Sequence, residues 1–310
     1  MSRFLTACAA VACGSLGACL YLAMTLGTPG ALVLVYLTQL PLFVAGLWLG
    51  AGAAALAGLT GSLVLLAASD VLGAAVFAAI NAVPVTLLVR EALLARRDPD
   101  GSILWYPPGL LAAWLTGLAL AGIAVAVLLF GGPEGLQAAL RGLMAEVLGR
   151  LARPLPNGDE AAAALAVMIP GVLAASWMVM AIVNAALAQG LLRRFGANWR
   201  PSPDLARLAL PLWVPIALGV AAGAIVYGGS ARFIGFNMAI ALSVAFCLAG
   251  LAVLHAAARR LANPVMALTC FYIVAAFAGW PFLAVAVLGL LESWLGLRHR
   301  LAPKGVGNNG

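Results

Sequence analysis

Apolar stretches follow one another almost without interruption from Phe4 to Leu297, and the charged residues fall mostly between them. The clearest is Phe236 to Arg260, which carries no formal charge until it closes on Arg259 and Arg260. At about 1.5 Å per residue, Phe236 to Leu254 is about 28 Å long, close to the roughly 30 Å hydrocarbon core of a bilayer. The same reading predicts a first span running through Leu26 and two short spans between Ala31 and Ser69 that turn at Gly50-Ala51-Gly52. A fourth follows from Val71 to Val89, closed by Arg90 and a charged loop with Arg96 and Arg97. Trp105-Tyr106-Pro107-Pro108 marks re-entry, with aromatics where an interfacial belt would put them, and the fifth span ends at Phe130. Further spans are expected at Ala162 to Gln189 and at Leu210 to Tyr227. Pro264 to Leu297 is too long for one comfortable helix and is broken at Gly279-Trp280-Pro281, so it reads as a hairpin of two short spans. The expected fold is all-α, a polytopic transmembrane helix bundle of about eight to ten membrane segments. It forms one integral domain over residues 1–301, with a disordered cytoplasmic tail at 302–310.

Pro133 to Glu160 differs in kind. Leu136, Leu140, Leu143, Val147 and Leu151 recur at three and four, while Glu134, Arg141, Glu146, Arg150 and Arg153 occupy other faces. That pattern predicts an amphipathic helix on the extracytoplasmic membrane surface or capping the bundle.

Composition sharpens the picture. The 310 residues are 65% hydrophobic and 9% charged, where soluble domains are about 45–50% apolar and about 25% charged. A net charge of +7 could suggest nucleic acid, but the basic residues sit in small groups at the ends of apolar stretches, which topology explains and a phosphate-binding surface does not. With the N-terminus inside, ten crossings place Arg90, Arg96, Arg97, Arg193, Arg194, Arg200, Arg207, Arg259, Arg260, Arg298, Arg300 and Lys304 on the cytoplasmic side of a bacterial inner membrane, leaving Arg141, Arg150, Arg153 and Arg232 outside. Leu16-Gly17-Ala18-Cys19 resembles a lipoprotein cleavage site, but the chain stays apolar through Leu26, so the first span is read as uncleaved. The five cysteines, all inside apolar stretches, are read as small packing residues rather than a disulfide framework or metal site.

The segments VNAALAQGLLRRFG, LALPLWVP, GFNMAIALSVAFCLAGLAVLH and LGLLESWLGLRHRL, together with LPLFVAGLWLG in the second span, resemble the YybS-like family of bacterial multi-pass membrane proteins. Glu292 stands where many relatives are expected to carry Asp. The family has no established activity and is distantly similar to the substrate-binding S components of energy-coupling-factor vitamin transporters. The resemblance thus implies a membrane protein that binds a small molecule for uptake.

No catalytic signature stands out: there is no phosphate-cradling loop with a Lys, no HExxH and no nucleophile elbow, and His255 and His299 are far apart. The chain is expected not to be an enzyme, to hold no cofactor or metal, and to need a separate energising subunit for any ATP-driven step. The informative residues are polar ones inside spans, because such groups must face protein or water. Gln39 lies beside Pro41 and Asn81 beside Pro84, so an amide and freed backbone carbonyls share one turn, as at the discontinuous helices of transporters. Asn184, with Gln189, and Asn237, five turns before His255, complete the candidate substrate-binding set of Gln39, Asn81, Asn184 and Asn237. The competing reading is that the prolines only kink the spans and the amides glue helices together. Glu292 is expected to pair with a neighbouring Arg, and Gly46xxxGly50 and Gly219xxxGly223 to be packing contacts. Trp177 and Trp280 anchor at the interface or stack on a ligand. Two functions follow: small-molecule uptake or sensing with an energising membrane partner, or a scaffold that organises a membrane complex.

A reporter active only in the periplasm, fused after Lys304, should be inactive; activity would refute ten crossings with an internal N-terminus.

Overall fold

The computed structural model describes residues 2–150, 158–205 and 208–298. Helix α1 (Arg3–Leu22) starts at Ser2, whose Oγ accepts the Leu5 N–H at 3.3 Å. Helices α2 (Pro29–Tyr36) and α3 (Gln39–Leu49) make up one broken span, and α4 (Ala51–Ala68) follows the turn at Gly50. Asp70 caps α5 (Val71–Phe77) by accepting the Gly73 N–H at 2.6 Å, and a π-turn over Ala78–Ala82 leads into α6 (Val83–Ala92). Strands β1 (Ala95–Arg97) and β2 (Ile103–Trp105) pair antiparallel. The remaining helices are α7 (Pro108–Leu129), α8 (Pro133–Arg150), α9 (Gly158–Arg194), α10 (Trp213–Tyr227), α11 (Gly229–Ala258), α12 (Pro264–Ala278) and α13 (Pro281–Leu295). The protein is an all-α, multi-pass membrane helix bundle: seven helical stretches among the described residues are long and apolar enough to cross a bilayer. Helix α10 is shorter, and α12 and α13 meet at a bend of 118°. Each has 15 residues, about 22 Å, less than the hydrocarbon core.

The chain divides into two compact units. The first holds 1–107 and 177–203, the second 108–176 and 204–310, so α9 begins in the second and ends in the first. In the first unit α1 buries Ala10, Gly14, Gly17 and Ala18, and the ring of Tyr21 meets Phe77 edge-on at 5.5 Å. Its interior is filled by Leu42, Phe43, Leu65, Phe77, Val85 and Val89. In the second unit α11 is central. Between Phe233 and Ala258 none of its residues is exposed. Leu242, Ala245 and Phe246 pack with Ala113 of α7 and Val214 and Ala221 of α10. On another face Gly250 lies against the Val285 carbonyl of α13, and Gly289 of α13 lies against the Phe246 carbonyl, a reciprocal contact with no room for a Cβ on either residue.

Several expectations change. The charged loop after α6 is a hairpin: Asp98-Pro99-Asp100-Gly101 is its turn, with Gly101 at φ 83° and its N–H donating to the Asp98 carbonyl at 2.9 Å. The amphipathic helix is described to Arg150. Residues 151–157 of the expected range lie outside the described residues, and 158–160 belong to α9. It buries Leu136 but leaves Leu143 and Val147 exposed. Of the expected Gly46xxxGly50 contact only Gly46 packs tightly, against Ala54 and Val89, while Gly50 is the turn with nothing close to it, and Gly219 and Gly223 face open space. Cys8, Cys19 and Cys270 are exposed rather than packed inside, and all five cysteines are free. The expected tail at 302–310 lies outside the described residues.

Gly250→Val should lower the melting temperature of the purified protein in lipid nanodiscs, because the new side chain meets a backbone carbonyl. Gly219→Val should leave it unchanged. Equal melting of both variants would remove the α11–α13 contact as the source of stability.

Candidate functional site

Three prolines or breaks inside spans decide where the polar side chains go. Pro84 has no N–H to give the carbonyl four residues back, that of Ile80. The chain widens there into the π-turn, with Val83 N–H reaching the Ala78 carbonyl instead. The freed Ile80 carbonyl accepts two bonds from distant parts of the first unit: Gln39 Nε2 at 3.2 Å and Trp177 Nε1 at 2.7 Å.

The second break separates α2 from α3. Leu37 and Thr38 donate three residues back, to Leu34 and Val35, and Leu40 donates to Leu37. The Tyr36 carbonyl, which would have received the Leu40 N–H in a continuous helix, accepts Asn184 Nδ2 at 2.6 Å. The same nitrogen donates to Met180 at 2.7 Å, one turn back on α9.

Holding these carbonyls fixes which end of each amide faces inward. A flipped Gln39 would set its oxygen against the Ile80 carbonyl, and a flipped Asn184 would set its oxygen against two carbonyls at once, so both orientations are determined by their partners. Their other ends are then acceptors with nothing to accept. Thr38 Oγ1, Gln39 Oε1, Asn81 Oδ1 and Asn184 Oδ1 are the buried side-chain atoms among the described residues with no hydrogen-bond partner. All four residues are at most 1% exposed. Gln39 Oε1 and Asn81 Oδ1 belong to groups bonded to, or next in sequence to, Ile80. Asn184 Oδ1 belongs to a group bonded to Tyr36, and Thr38 stands two residues after Tyr36 and directly before Gln39. A buried acceptor left unpaired costs about 1–3 kcal/mol. Four amount to roughly 4–12 kcal/mol, comparable with the roughly 5–15 kcal/mol net stability of a domain.

Asn237, the fourth predicted residue, belongs to the second unit and makes a different construction. Pro170 interrupts α9, and the Asn237 carboxamide enters the broken ladder: Gly171 N–H donates to its Oδ1 at 2.6 Å, and its Nδ2 donates to Val167 at 2.9 Å and to Phe233 at 2.8 Å. In an unbroken helix Gly171 would have bonded Val167 directly, so the side chain replaces one backbone bond with two. Only glycine fits at 171, since a Cβ there would stand 2.9 Å from the Asn237 Cα. Asn237 has no oxygen to spare and is a helix lock, whereas Gln39, Asn81 and Asn184 share one neighbourhood in the first unit.

Other expected residues are structural. Glu292 accepts Arg298 Nε at 2.7 Å and Arg298 N–H at 3.1 Å. His255 sits 2.8 Å from the Leu251 carbonyl through Nδ1, with Tyr272 Oη 3.5 Å from its Nε2. Gln189 Nε2 holds the Arg200 carbonyl at 2.7 Å, and Trp280 is exposed at the α12–α13 bend. Sequence reasoning missed Thr38, a polar residue three before Pro41, and it missed that Trp177 answers Pro84 across the fold. It also missed Arg200, whose guanidinium is buried and donates to the Ala92 carbonyl at 2.8 Å and the Tyr106 carbonyl at 2.7 Å, tying the hairpin to the basic loop. Burial pulls its pKa below the usual arginine value. Beside the hairpin is a groove of about 400 Å³ lined by Leu94, Ala95, Arg96, Leu104, Trp105, Tyr106 and Pro107, with none of the four unpaired residues in it. No group of three His, Cys, Asp or Glu among the described residues is placed to hold a metal ion.

No protein-family model, curated protein or solved structure matches this chain.

Asn237→Leu strands the Gly171 N–H and the Val167 carbonyl together. It should destabilise the protein by about 2–4 kcal/mol, measured by reversible unfolding in mixed micelles. A change under about 0.5 kcal/mol would mean that the broken ladder finds other partners.

Proposed function

We propose that this chain is a bacterial inner-membrane protein, with both termini cytoplasmic, that binds a small solute within the bilayer through its first unit, for uptake or sensing. One observation carries the reading: four buried side-chain oxygens without a partner belong to residues that lie at, or hydrogen-bond to, two broken spans. In the membrane an unsatisfied group finds no solvent to pair with, and broken helices near the bilayer midplane are where transporters place their sites. The resemblance to the YybS-like family, and through it to transporter S components, agrees with such a role. With no phosphate-binding loop in the sequence, energy for uptake would come from a partner subunit.

A second reading, a scaffold that organises a membrane complex, is favoured by Asn237, both ends of which are spent on helix contacts.

Asn81→Leu separates the two. It removes an acceptor that has no partner and keeps the branching at Cγ in a larger, apolar side chain. It should therefore raise the melting temperature of the solute-free protein while abolishing stabilisation by any solute, small organic molecules and inorganic ions included, that stabilises the native protein in nanodiscs. If no solute in such a panel stabilises the native protein, and crosslinking recovers a stoichiometric membrane complex that persists in Asn81→Leu, the scaffold reading replaces this one.

A further inference from the structure

The four unpaired oxygens say more than that a solute binds; they restrict its chemistry. Resting on the solute-binding reading above, we infer that the ligand of the first unit is a dehydrated monovalent metal cation, Na⁺ or K⁺, held by Gln39 Oε1, Asn81 Oδ1, Thr38 Oγ1 and Asn184 Oδ1.

Three observations lead there. The first is polarity. The amide nitrogens of Gln39 and Asn184 are committed to the carbonyls of Ile80, Tyr36 and Met180. The indole N–H of Trp177 is likewise committed to Ile80. Gln39 and Asn184 therefore turn fixed acceptors toward the site, and the Thr38 hydroxyl and the Asn81 amide can each add an oxygen. An organic solute of the vitamin or nucleobase kind brings acceptors of its own, for which only the Thr38 hydroxyl and the Asn81 amide could supply donors, and any beyond these would be stranded. A bare cation brings none.

The second is charge. The four ligands are amide and hydroxyl oxygens, and the sequence holds no Asp, Glu, Lys, Arg or His between Ala31 and Ser69, the stretch that contains Thr38 and Gln39. Asn81 stands eleven residues from Asp70 and nine from Arg90, about three and two and a half helical turns away. Divalent calcium and magnesium are normally bound with carboxylates, whereas neutral carbonyl dipoles suffice to replace the hydration shell of a monovalent ion. An anion is excluded, since no cationic side chain belongs to the group. The helix ends do not alter this balance: the negative end of α2 and the positive end of α3 meet at the same break and offset one another.

The third is size. The four residues are 0 to 1% exposed. An ion fits among close-packed helices where a ring system does not. Unwound backbone with side-chain oxygens is the arrangement by which transporters hold coupling ions.

The test is thermal unfolding of the full chain in nanodiscs of neutral lipid, in NaCl, KCl, CaCl₂ or N-methyl-D-glucamine chloride at matched ionic strength. Sodium or potassium should raise the melting temperature by about 5 °C over N-methyl-D-glucamine at saturation. Calcium should not. The rise should vanish in Asn81→Leu and persist in Asn237→Leu, whose lock lies in the other unit. Asn81→Asp, which adds a carboxylate to the same position, should acquire a calcium-dependent rise, an outcome that a merely structural Asn81 would not give. Equal melting in sodium, potassium and N-methyl-D-glucamine overturns the inference, as does an alkali-cation rise that survives Asn81→Leu. If in either case an organic solute still stabilises the native protein through Asn81, the solute-binding function stands with a different ligand class. If no solute does, both fall.

Discussion

A backbone carbonyl or N–H set free inside an apolar medium has to be given another partner, and that requirement organises this protein. Water satisfies such groups at the surface of a soluble domain; within a bilayer only the protein can. Pro84, Pro170 and the Leu37–Thr38 break each free backbone groups within a span, and each is answered by a polar side chain from far along the chain. Gln39 and Trp177 take the Ile80 carbonyl, Asn184 takes that of Tyr36, and Asn237 inserts between Gly171 and Val167. The scarce amides of an apolar sequence are thus spent where the helical ladder fails.

The two units meet this requirement differently, and the difference separates structure from function. In the second unit the account closes: Asn237 donates twice and accepts once, and Gly171 and the Gly250–Gly289 contact let backbones approach closely. In the first unit Gln39 and Asn184 spend their nitrogens and keep their acceptors, because a carboxamide that gives its nitrogen to a carbonyl turns its oxygen elsewhere. The surplus is a by-product of the same repair that holds the broken spans together. It concentrates partial negative charge without introducing a formal charge, which costs the fold less than a buried carboxylate.

Much of this was legible in the sequence. The apolar periods gave the spans, and the break at Gly279-Trp280-Pro281 appears as the 118° bend. The pairing of amides with prolines also pointed to the right turns, since Gln39, Asn81, Asn184 and Asn237 all sit at or opposite a break. Other features were hidden for definable reasons. Asp98-Pro99-Asp100-Gly101 is a plain turn signal, but strands of three residues are too short for alternation to show. Trp177 looked like an interfacial anchor because its hydrogen-bond partner is 97 residues away. The spacing of Gly219 and Gly223 matches a packing motif, yet spacing alone does not say which face of a helix meets another.

The sequence by itself determined that this is a membrane protein of many helices, where its spans fall and, beside Pro41 and Pro84, two of the turns where backbone hydrogen bonding fails, though not the one at Pro170. Those are local properties, fixed by hydropathy over a helical length and by the missing N–H of proline. Only the tertiary structure decided which polar side chain answers each failure, and hence that Asn237 is saturated while Thr38, Gln39, Asn81 and Asn184 keep oxygens unpaired. An amide has two chemically opposite ends. Which of them is left over depends on what the other end meets across the fold, and no local pattern carries that information.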